Sequence, residues 1–386
     1  MSEEVKLMQD LKRIFQEIAP LNQNAMEKTR ARIDDLTKPP GSLGRMEELS
    51  VKLAGIYGDF FPTGTRKRVV VMAADHGVAK EGISAFPQEV TLQMLANFTS
   101  GGAAINVLAE MQGVEVEVID LGVSQEADLP GLKKWRIKAG TNNFCHEKAM
   151  SREECLRAIM AGIKCSQDAF QQGVRVLSTG EMGIGNTTAS SAVMAAFTGY
   201  QPSLVVGRGT GLDDEGVSHK EKAVTRALEL HQPNPADPLE VLAAVGGVEI
   251  AGLCGLILGG AHQGMPVVID GFISTVAALS AVNLAPAVKE YLLPSHLSEE
   301  SGHALLLDYL ELKPYLNMNM RLGEGTGAVL AMNLLEGAAR ITVEMATFSG
   351  AGISKGSNNS EAVLPAEEES GENGYISGSS RGNHCQ

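Results

Sequence analysis

Short apolar runs, each followed by a polar or glycine-rich turn and then by a segment with helical spacing, recur through most of this 386-residue chain. The runs are Arg68–Ala73, Val174–Leu177 and Pro266–Asp270, and Val114, Val116 and Val118 alternate with polar residues before Ile119 and Asp120. Repeated strand–loop–helix units of this kind predict an α/β fold, with a Rossmann-like parallel sheet flanked by helices on both faces. Ligands bind beyond the carboxyl ends of the strands in such sheets. We therefore expect the functional residues in the turns that follow these runs.

The segments on either side of this repeating part differ from it. Residues 3–60 carry apolar side chains at helical spacing, with the rigid turn Thr37–Gly44 between helices. From about Lys355 onward, apolar residues are few, and serine, asparagine and glutamate are frequent, which is typical of a disordered tail. We expect a helical part before the sheet and a disordered segment after the last helix.

Charge and cysteine usage exclude several classes of protein. A net charge of −14 disfavours nucleic acid or an anionic membrane surface as the main partner. The five cysteines lack CxxC spacing and predict reduced thiols rather than a disulfide framework or a zinc site. Residues 1–4 do not resemble a signal peptide, and the longest apolar run, around Val248 to Ala261, is too short to span a membrane and predicts a buried helix. We expect a cytoplasmic protein.

The segment Arg321–Ala328 places one carboxylate, Glu324, among three glycines and a threonine, just before a long apolar segment with helical spacing. The start of a helix there would point its free N–H groups and its positive dipole end at an anion. A carboxylate beside an anion site is useful when it takes part in proton transfer. The alternative is a glycine-rich turn with an exposed Glu324, because such motifs are common.

The loop Ser178–Thr188 follows a predicted strand and opens a predicted helix, so it suits a phosphate on the helix N–H groups, with Asn186 or Thr187 as the cap. It lacks the third glycine of a dinucleotide fingerprint and the Gly-Lys-Ser/Thr of a P-loop. Neither NAD nor ATP is therefore favoured. Lys220, near the start of a later helix, is a candidate for binding a phosphate or carboxylate, or a solvated surface residue.

Two further loops hold polar residues. Asp75 and His76 form either a catalytic dyad, half a metal site or a structural turn, and the lack of a second ligand at metal-binding spacing disfavours the metal. Segment 82–89 offers an apolar surface with hydrogen-bonding groups that suits a planar organic ligand. Segment 295–303 predicts a helix start with serine hydroxyls for an oxyanion, and we expect its two histidines to be satisfied polar residues.

Together these loops contain several oxyanion sites, one carboxylate among them and an apolar pocket, without a metal cage or a cysteine nucleophile. That combination suits the transfer of a phosphorylated sugar, for which positioning and a single base suffice. A Rossmann-type oxidoreductase and a non-catalytic sensor of a nucleotide or base are the alternatives. The absence of a complete GxGxxG disfavours the first, and the presence of Glu324 disfavours the second.

Four segments, in order along the chain, resemble the motifs of the nicotinate-nucleotide–dimethylbenzimidazole phosphoribosyltransferase family. They are Lys38–Gly44, Ala74–Val78, Gly180–Thr188 and Arg321–Gly327. The likeness covers roughly residues 5–354. It implies transfer of phosphoribose from nicotinate mononucleotide to 5,6-dimethylbenzimidazole, which gives α-ribazole 5′-phosphate and nicotinate by a single displacement with inversion. The reaction belongs to the assembly of the cobalamin nucleotide loop and requires no cofactor or metal.

The resemblance also implies a homodimer and a domain division. Residues 1–64 and 323–354 would form a small helical domain, residues 65–322 the large α/β domain, and residues 355–386 the disordered tail. Glu324 would be the general base, with Glu181 and Lys220 in supporting catalytic roles. The residues implied in substrate binding are Ser84, Gln88, Gly183, Asn186, Ser298, Arg321 and Gly327.

Overall fold

The computed structural model describes residues 3–209 and 211–353. The predicted disordered tail, residues 355–386, lies outside the described residues. The α-helices are α1 (Glu3–Glu17), α2 (Gln23–Asp35), α3 (Arg45–Tyr57), α4 (Val90–Ser100), α5 (Ala104–Gln112), α6 (Arg152–Gln171), α7 (Asn186–Thr198), α8 (Pro202–Val205), α9 (Asp214–His231), α10 (Pro238–Val245), α11 (Val248–His262), α12 (Phe272–Leu284), α13 (Ser301–Tyr309), α14 (Thr326–Glu344) and α15 (Phe348–Ala351).

The strands form one parallel sheet and one small parallel pair. They are β1 (Arg66–Ala74), β2 (Val114–Gly122), β3 (Leu132–Lys134), β4 (Val174–Met182), β5 (Val267–Ile269), β6 (Leu292–Pro294), β7 (His296–Leu297) and β8 (Leu316–Asn317). The order in the main sheet is β3-β2-β1-β4-β5-β6, and β7 pairs with β8. The sheet confirms the predicted α/β fold, because all pairs in it are parallel.

The strand order places a switch point at the centre of the sheet. From β1 the chain moves outward to β2 and β3, and it then returns to the other side of β1 with β4. The connections on the two sides of β1 and β4 lead away from each other, which leaves a crevice beyond the carboxyl ends of these strands. The loops that the sequence singled out after β1 and β4 open into this crevice.

Helices cover both faces of the sheet. Val70 and Met72 of β1 face a core that includes side chains of α6, α11 and α12, and Val69 and Val71 face a second core with α3, α5 and α14. Alternate residues of a strand point to opposite faces, so a strand that is buried on both faces reads as a continuous apolar run. The predicted buried helix around 248–261 is α11, in which every residue from Val248 to Ala261 is buried.

The helices near the two ends of the described chain pack together. α3 contacts both α2 and α14. Leu53 of α3 and Ala328 of α14 also belong to the same core as Val69 of the central strand β1. The division into a large domain and a small helical domain at the stated boundaries stays a prediction. In the described part of the chain, no helix is long and apolar enough to cross a membrane. The cytoplasmic location likewise stays a prediction.

Candidate active site

A cleft of about 510 Å³ opens beyond the carboxyl ends of β4 and β5. Its walls come from the end of β4 and the start of α7, the start of α12, residues 296–300, and residues 321–324. These segments are far apart in sequence, and the parallel sheet brings them together because the carboxyl ends of its strands share one edge. The cleft therefore contains three of the loops that the sequence singled out.

The loop Gly323, Glu324 and Gly325, hereafter the 323–325 loop, adopts three consecutive left-handed conformations, with φ of 82°, 63° and 90°. Glu324 is one of the few residues other than glycine with positive φ, a conformation that costs about 1 kcal/mol or more for such a residue. At position 325 a Cβ would lie 2.6 Å from Val69 Cγ2, so only glycine fits. Successive N–H groups in such a turn form a concavity that binds anions.

The protein's own carboxylates occupy this concavity. The N–H of Glu324 donates to Glu181 Oε1 at 3.4 Å, and the N–H of Gly325 donates to Asp270 Oδ2 at 3.2 Å. Asp270 Oδ1 also accepts the N–H of Ala328, in the first turn of α14, at 2.9 Å. The sequence led us to expect a ligand anion at the start of α14, and the structure corrects this: Asp270 accepts those hydrogen bonds. The only sign of this role in the sequence is that Asp270 ends the apolar run Pro266–Asp270.

Glu324 is buried, which excludes the exposed glycine-rich turn. Burial raises the pKa of Glu324 to about 7. A hydrogen bond from the N–H of Ile105, at the start of α5, opposes this increase, and the charge of Asp270 adds to it. Oε2 has no hydrogen-bond partner among the described residues. Arg321 donates to the carbonyl of Gly209 at 3.2 Å. Glu324 therefore changes protonation near neutral pH, as a general base requires.

Glu181, near the end of β4, is a second buried carboxyl group beside the cleft. Burial raises its pKa to about 8, and the charges of Asp270 and Glu249 add to the shift. The side-chain amide of Asn186 donates to Glu181 Oε2. Glu181 therefore favours its protonated form at neutral pH, and it lines the cleft while its Oε1 accepts the N–H of Glu324.

Lys220 of α9 is buried, so the solvated-surface alternative is wrong. Its Nζ donates to Thr187 Oγ1 at 2.7 Å and to the carbonyl of Gly207 at 3.3 Å. Burial lowers its pKa to about 8, and the charge of Glu300 opposes the decrease. Thr187 and Glu300 both line the cleft. Lys220 therefore supports one wall of the cleft and places a positive charge behind it.

The start of α7 forms part of the cleft wall. We expected Asn186 or Thr187 to cap this helix, but the N-cap is Gly185, and both side chains bond elsewhere. No side chain caps the helix among the described residues. Its positive dipole end therefore faces the cleft.

Comparisons with known proteins agree with this geometry. Residues 18–353 match the profile of a phosphoribosyltransferase family. The nicotinate-nucleotide–dimethylbenzimidazole phosphoribosyltransferase of Chloroflexus aggregans is 56% identical over 341 residues, which is 88% of this chain and 96% of the relative. The enzyme of that name from Desulforudis audaxviator is 52% identical over 91% of this chain and all of its own. The crystal structure of the Thermus thermophilus enzyme superposes with a TM-score of 0.82 at 47% identity, over 87% of this chain and all of that one.

The chain belongs to the nicotinate-nucleotide–dimethylbenzimidazole phosphoribosyltransferase family. Membership confirms the resemblance that the four sequence motifs indicated, and it disfavours an oxidoreductase or a sensor. The matches cover whole proteins and do not test individual residues. The roles of the site residues therefore stay predictions, and the positions of those residues in this phosphoribosyltransferase are described below.

Several of the predicted substrate-binding residues of this family member lie at the cleft. Gly183, Asn186, Ser298 and Arg321 line it. Gly327 does not: a Cβ there would lie 2.0 Å from His296 Nδ1, so this residue packs against the back of a lining side chain.

Segment 82–89, predicted to hold the base, reaches the cleft through one residue. Phe86 lines the cleft and is 50% exposed. Ser84 and Gln88 are half-buried and lie outside the lining, and Ser84 Oγ accepts the N–H of Phe86 at 3.2 Å. The structure thus brings the aromatic ring to the cleft, with Ser84 fixing the turn that carries it.

The two histidines of segment 295–303 are satisfied polar residues, as expected. Burial lowers the pKa of His303 to about 3, so its ring is neutral. Its Nδ1 accepts the N–H of Ser298 at 2.9 Å, and Nε2 then donates to Thr275 Oγ1 at 3.0 Å. His296 Nδ1 bonds with Ser295 Oγ at 3.0 Å. The predicted helix start is confirmed within this segment: residues 296–297 form β7, and α13 begins at Ser301.

Asp75 and His76 do not pair with each other. Asp75 Oδ2 accepts the N–H of Ser124 at 2.8 Å, which is a structural role. His76 Nε2 lies 2.7 Å from Glu249 Oε1, and both side chains are fully buried beneath the loop that contains Gly183. Sequence reasoning did not find Glu249, which stands in a continuous apolar helix without any local motif. In the described residues, no group of three or more His, Cys, Asp or Glu side chains is arranged so that it could hold a metal ion.

Proposed function

We propose that this protein transfers phosphoribose from nicotinate mononucleotide to 5,6-dimethylbenzimidazole, giving α-ribazole 5′-phosphate and nicotinate in the assembly of the cobalamin nucleotide loop. Membership of the family supports the reaction. The geometric observation that most supports it is the buried Glu324, whose pKa of about 7 suits a base at neutral pH and which lies at a cleft with a helix N-terminus in its wall.

In the proposed reaction, the free ring nitrogen of the benzimidazole attacks the anomeric carbon of the ribose. The bond from that carbon to the pyridinium nitrogen breaks, and its electron pair goes to the nitrogen of the departing nicotinate. The proton on the second benzimidazole nitrogen passes to the Glu324 carboxylate, which prevents a positive charge from developing on the ring. Nicotinate leaves with a neutral ring nitrogen, so the leaving group needs no acid.

The α-configuration of the product requires the benzimidazole to attack the anomeric carbon from the side opposite the leaving nicotinate. A single displacement with inversion accomplishes this without a covalent intermediate. The protein's contribution is to hold both substrates in line, which accelerates such reactions by lowering the entropy cost of the encounter.

The phosphate of the mononucleotide fits the wall formed by the start of α7. An anion is stabilised at a helix N-terminus, and Gly183 allows the backbone to approach it. Ser298 and Arg321 line the same cleft and supply a hydroxyl and a guanidinium. Gly327 lies behind His296 and would act indirectly, because the absence of a side chain at this position leaves room for the His296 ring.

The benzimidazole fits the side of the cleft where Phe86 supplies an aromatic surface. We propose that Ser84 and Gln88 shape this segment. Glu181 would hold the 323–325 loop, and Lys220 would support the phosphate wall through Thr187. A homodimer and a cytoplasmic location complete the proposal.

A direct assay tests the proposed function. Purified protein is incubated with nicotinate mononucleotide and dimethylbenzimidazole, and nicotinate release is followed by chromatography. The proposal predicts nicotinate and α-ribazole 5′-phosphate in equal amounts, with no nicotinate when the base is left out. Absence of product from the wild-type protein would contradict the assignment, and tight binding of NAD or NADP would favour an oxidoreductase instead.

A further inference from the structure

Asp270 forms hydrogen bonds with several separate elements of the site. It follows β5 directly and is almost fully buried. Its own N–H donates to Thr179 Oγ1 of β4 at 3.2 Å, and its carboxylate accepts the N–H groups of Gly325 and Ala328. One residue thus joins the ends of two strands, the 323–325 loop and the first turn of α14.

The conformation of the 323–325 loop needs this support. Its backbone is left-handed at Glu324, which an L-residue adopts only where surrounding contacts hold it. The two carboxylates that accept the loop's N–H groups, from Glu181 and Asp270, provide those contacts. The Asp270 bond is the shorter, and it reaches the residue directly after Glu324.

We propose that Asp270 is a positioning residue for Glu324: it fills the N-terminus of α14 in place of a substrate anion, fixes the 323–325 loop at the end of β5, and places a carboxylate beside the general base. This inference rests on the proposed function, because it assigns a role relative to Glu324 as the base. It also directs the mononucleotide phosphate to the wall at α7, since the first turn of α14 already has its anion.

Other charged and polar groups near Glu324 also affect its pKa and therefore the pH dependence of the reaction. Glu181 approaches from β4, and Ile105 N–H approaches from the start of α5. His296 Nδ1 lies 3.8 Å from Asp270 Oδ1 and compensates its charge when protonated. Glu300 and Arg321 line the same cleft. Replacing Asp270 also lowers the pKa of Glu181, which the charge of Asp270 raises, so a shift of the acid limb is assigned to Glu324 because Glu324→Gln should abolish that limb.

Two substitutions separate the position of the carboxylate from its charge. Asp270→Asn removes the charge, and its amide has one oxygen for two N–H donors. We expect kcat to fall by about 10²-fold, because small displacements of a reacting group cost that much. We also expect the acid limb of kcat to move down by about one pH unit, since loss of a nearby negative charge lowers the pKa of Glu324.

Asp270→Glu keeps the charge and both acceptor oxygens but changes their reach by one methylene. We expect kcat to fall while the acid limb stays close to that of wild type. Because this variant retains the anion at α14, it provides a folded protein if the asparagine variant does not fold, as judged by its melting transition.

Asp237→Asn is the matched control. Asp237 caps α10 through the N–H of Glu240 at 3.2 Å, and it does not line the cleft. This control should lose stability but keep the wild-type kcat and pH profile. A folded Asp270→Glu or Asp270→Asn protein with kcat within twofold of wild type would overturn the positioning role. A lower kcat with an unmoved acid limb in Asp270→Asn would overturn the electrostatic part. If wild type itself releases no nicotinate, the proposed function fails rather than the role of Asp270.

Discussion

At the scale of single residues, the chemistry of this site comes from burying carboxyl groups close together. Glu181 and Glu324 are both raised in pKa by burial, and Asp270 adds to both shifts. Asp270 accepts the backbone N–H groups of Gly325 and Ala328. The Asp270 carboxylate therefore lies beside two carboxyl groups that can gain or lose a proton near neutral pH.

The buried Glu181 should make folding stability fall as pH rises. Its pKa is about 8 in the folded protein against 4.5 for the ordinary group, so between these values the folded state binds more protons than the unfolded state. Glu181→Gln removes this difference, and we expect it to raise the free energy of unfolding by up to a few kcal/mol at about pH 8.5, since one pKa unit corresponds to about 1.36 kcal/mol.

Melting temperatures of wild type and Glu181→Gln at several pH values check this prediction. The gain in the variant should be smallest near the ordinary pKa of 4.5 and should grow steadily up to the folded-state pKa of about 8. A difference between the two proteins that does not vary with pH would contradict the raised pKa of Glu181.

Among the secondary-structure elements, α6 and α11 pack with their backbones close together on one face of the sheet. A Cβ at Gly162 would lie 1.9 Å from the carbonyl oxygen of Gly252 and 2.5 Å from the N of Leu256. Gly162→Ala should therefore push the helices apart and destabilise the protein by about 1–3 kcal/mol, as overpacking of a core does.

Denaturant unfolding of Gly162→Ala measures this effect, with Gly337→Ala as the matched control. At Gly337 of α14, a Cβ would meet only the flexible end of Met46 at 3.3 Å. That control should be neutral or stabilised by up to about 1 kcal/mol, because alanine favours helix more than glycine does. Equal midpoints for the two variants would show that α6 and α11 are not in tight backbone contact.

Sequence patterns predicted some elements well and others poorly, for physical reasons. Apolar runs predicted β1, β4 and β5, because a strand buried on both faces leaves a largely apolar signature, and the alternation of valine with glutamate predicted β2. The strands β3, β6, β7 and β8 contain two or three residues each and were not predicted; β5 also has three residues, but it lies within the longer apolar run Pro266–Asp270. The cap of α7 was assigned to Asn186 or Thr187 because those residues cap helices in general. Here Glu181 and Lys220 engage their side chains instead.

For the whole molecule, the site exists only because the sheet gathers distant segments at one edge. Glu324 was identified from its own segment, whereas the family resemblance implied the roles of Glu181 and Arg321. Which group satisfies which N–H could not be predicted, because it depends on three-dimensional pairing. Asp270 therefore went unrecognised, although it lies in a run that was correctly assigned as a strand.

The proposed reaction depends on the transfer of a proton from the attacking benzimidazole to Glu324. Glu324→Gln keeps the size of the side chain and removes the proton acceptor. We expect it to bind both substrates within a few-fold of wild type by calorimetry and to lose about 10²–10⁴-fold in kcat, the usual contribution of positioned proton transfer. Glu299→Gln, which changes an exposed carboxylate, should behave as wild type.

The pH dependence of nicotinate release by wild type and Glu324→Gln is the most direct test of whether Glu324 accepts this proton. Wild-type kcat should fall as pH drops through about 7, where Glu324 becomes protonated, and the variant should show low turnover without this acid limb. Near-normal turnover in Glu324→Gln, or an acid limb unchanged from wild type, would contradict the account and place the proton acceptor elsewhere.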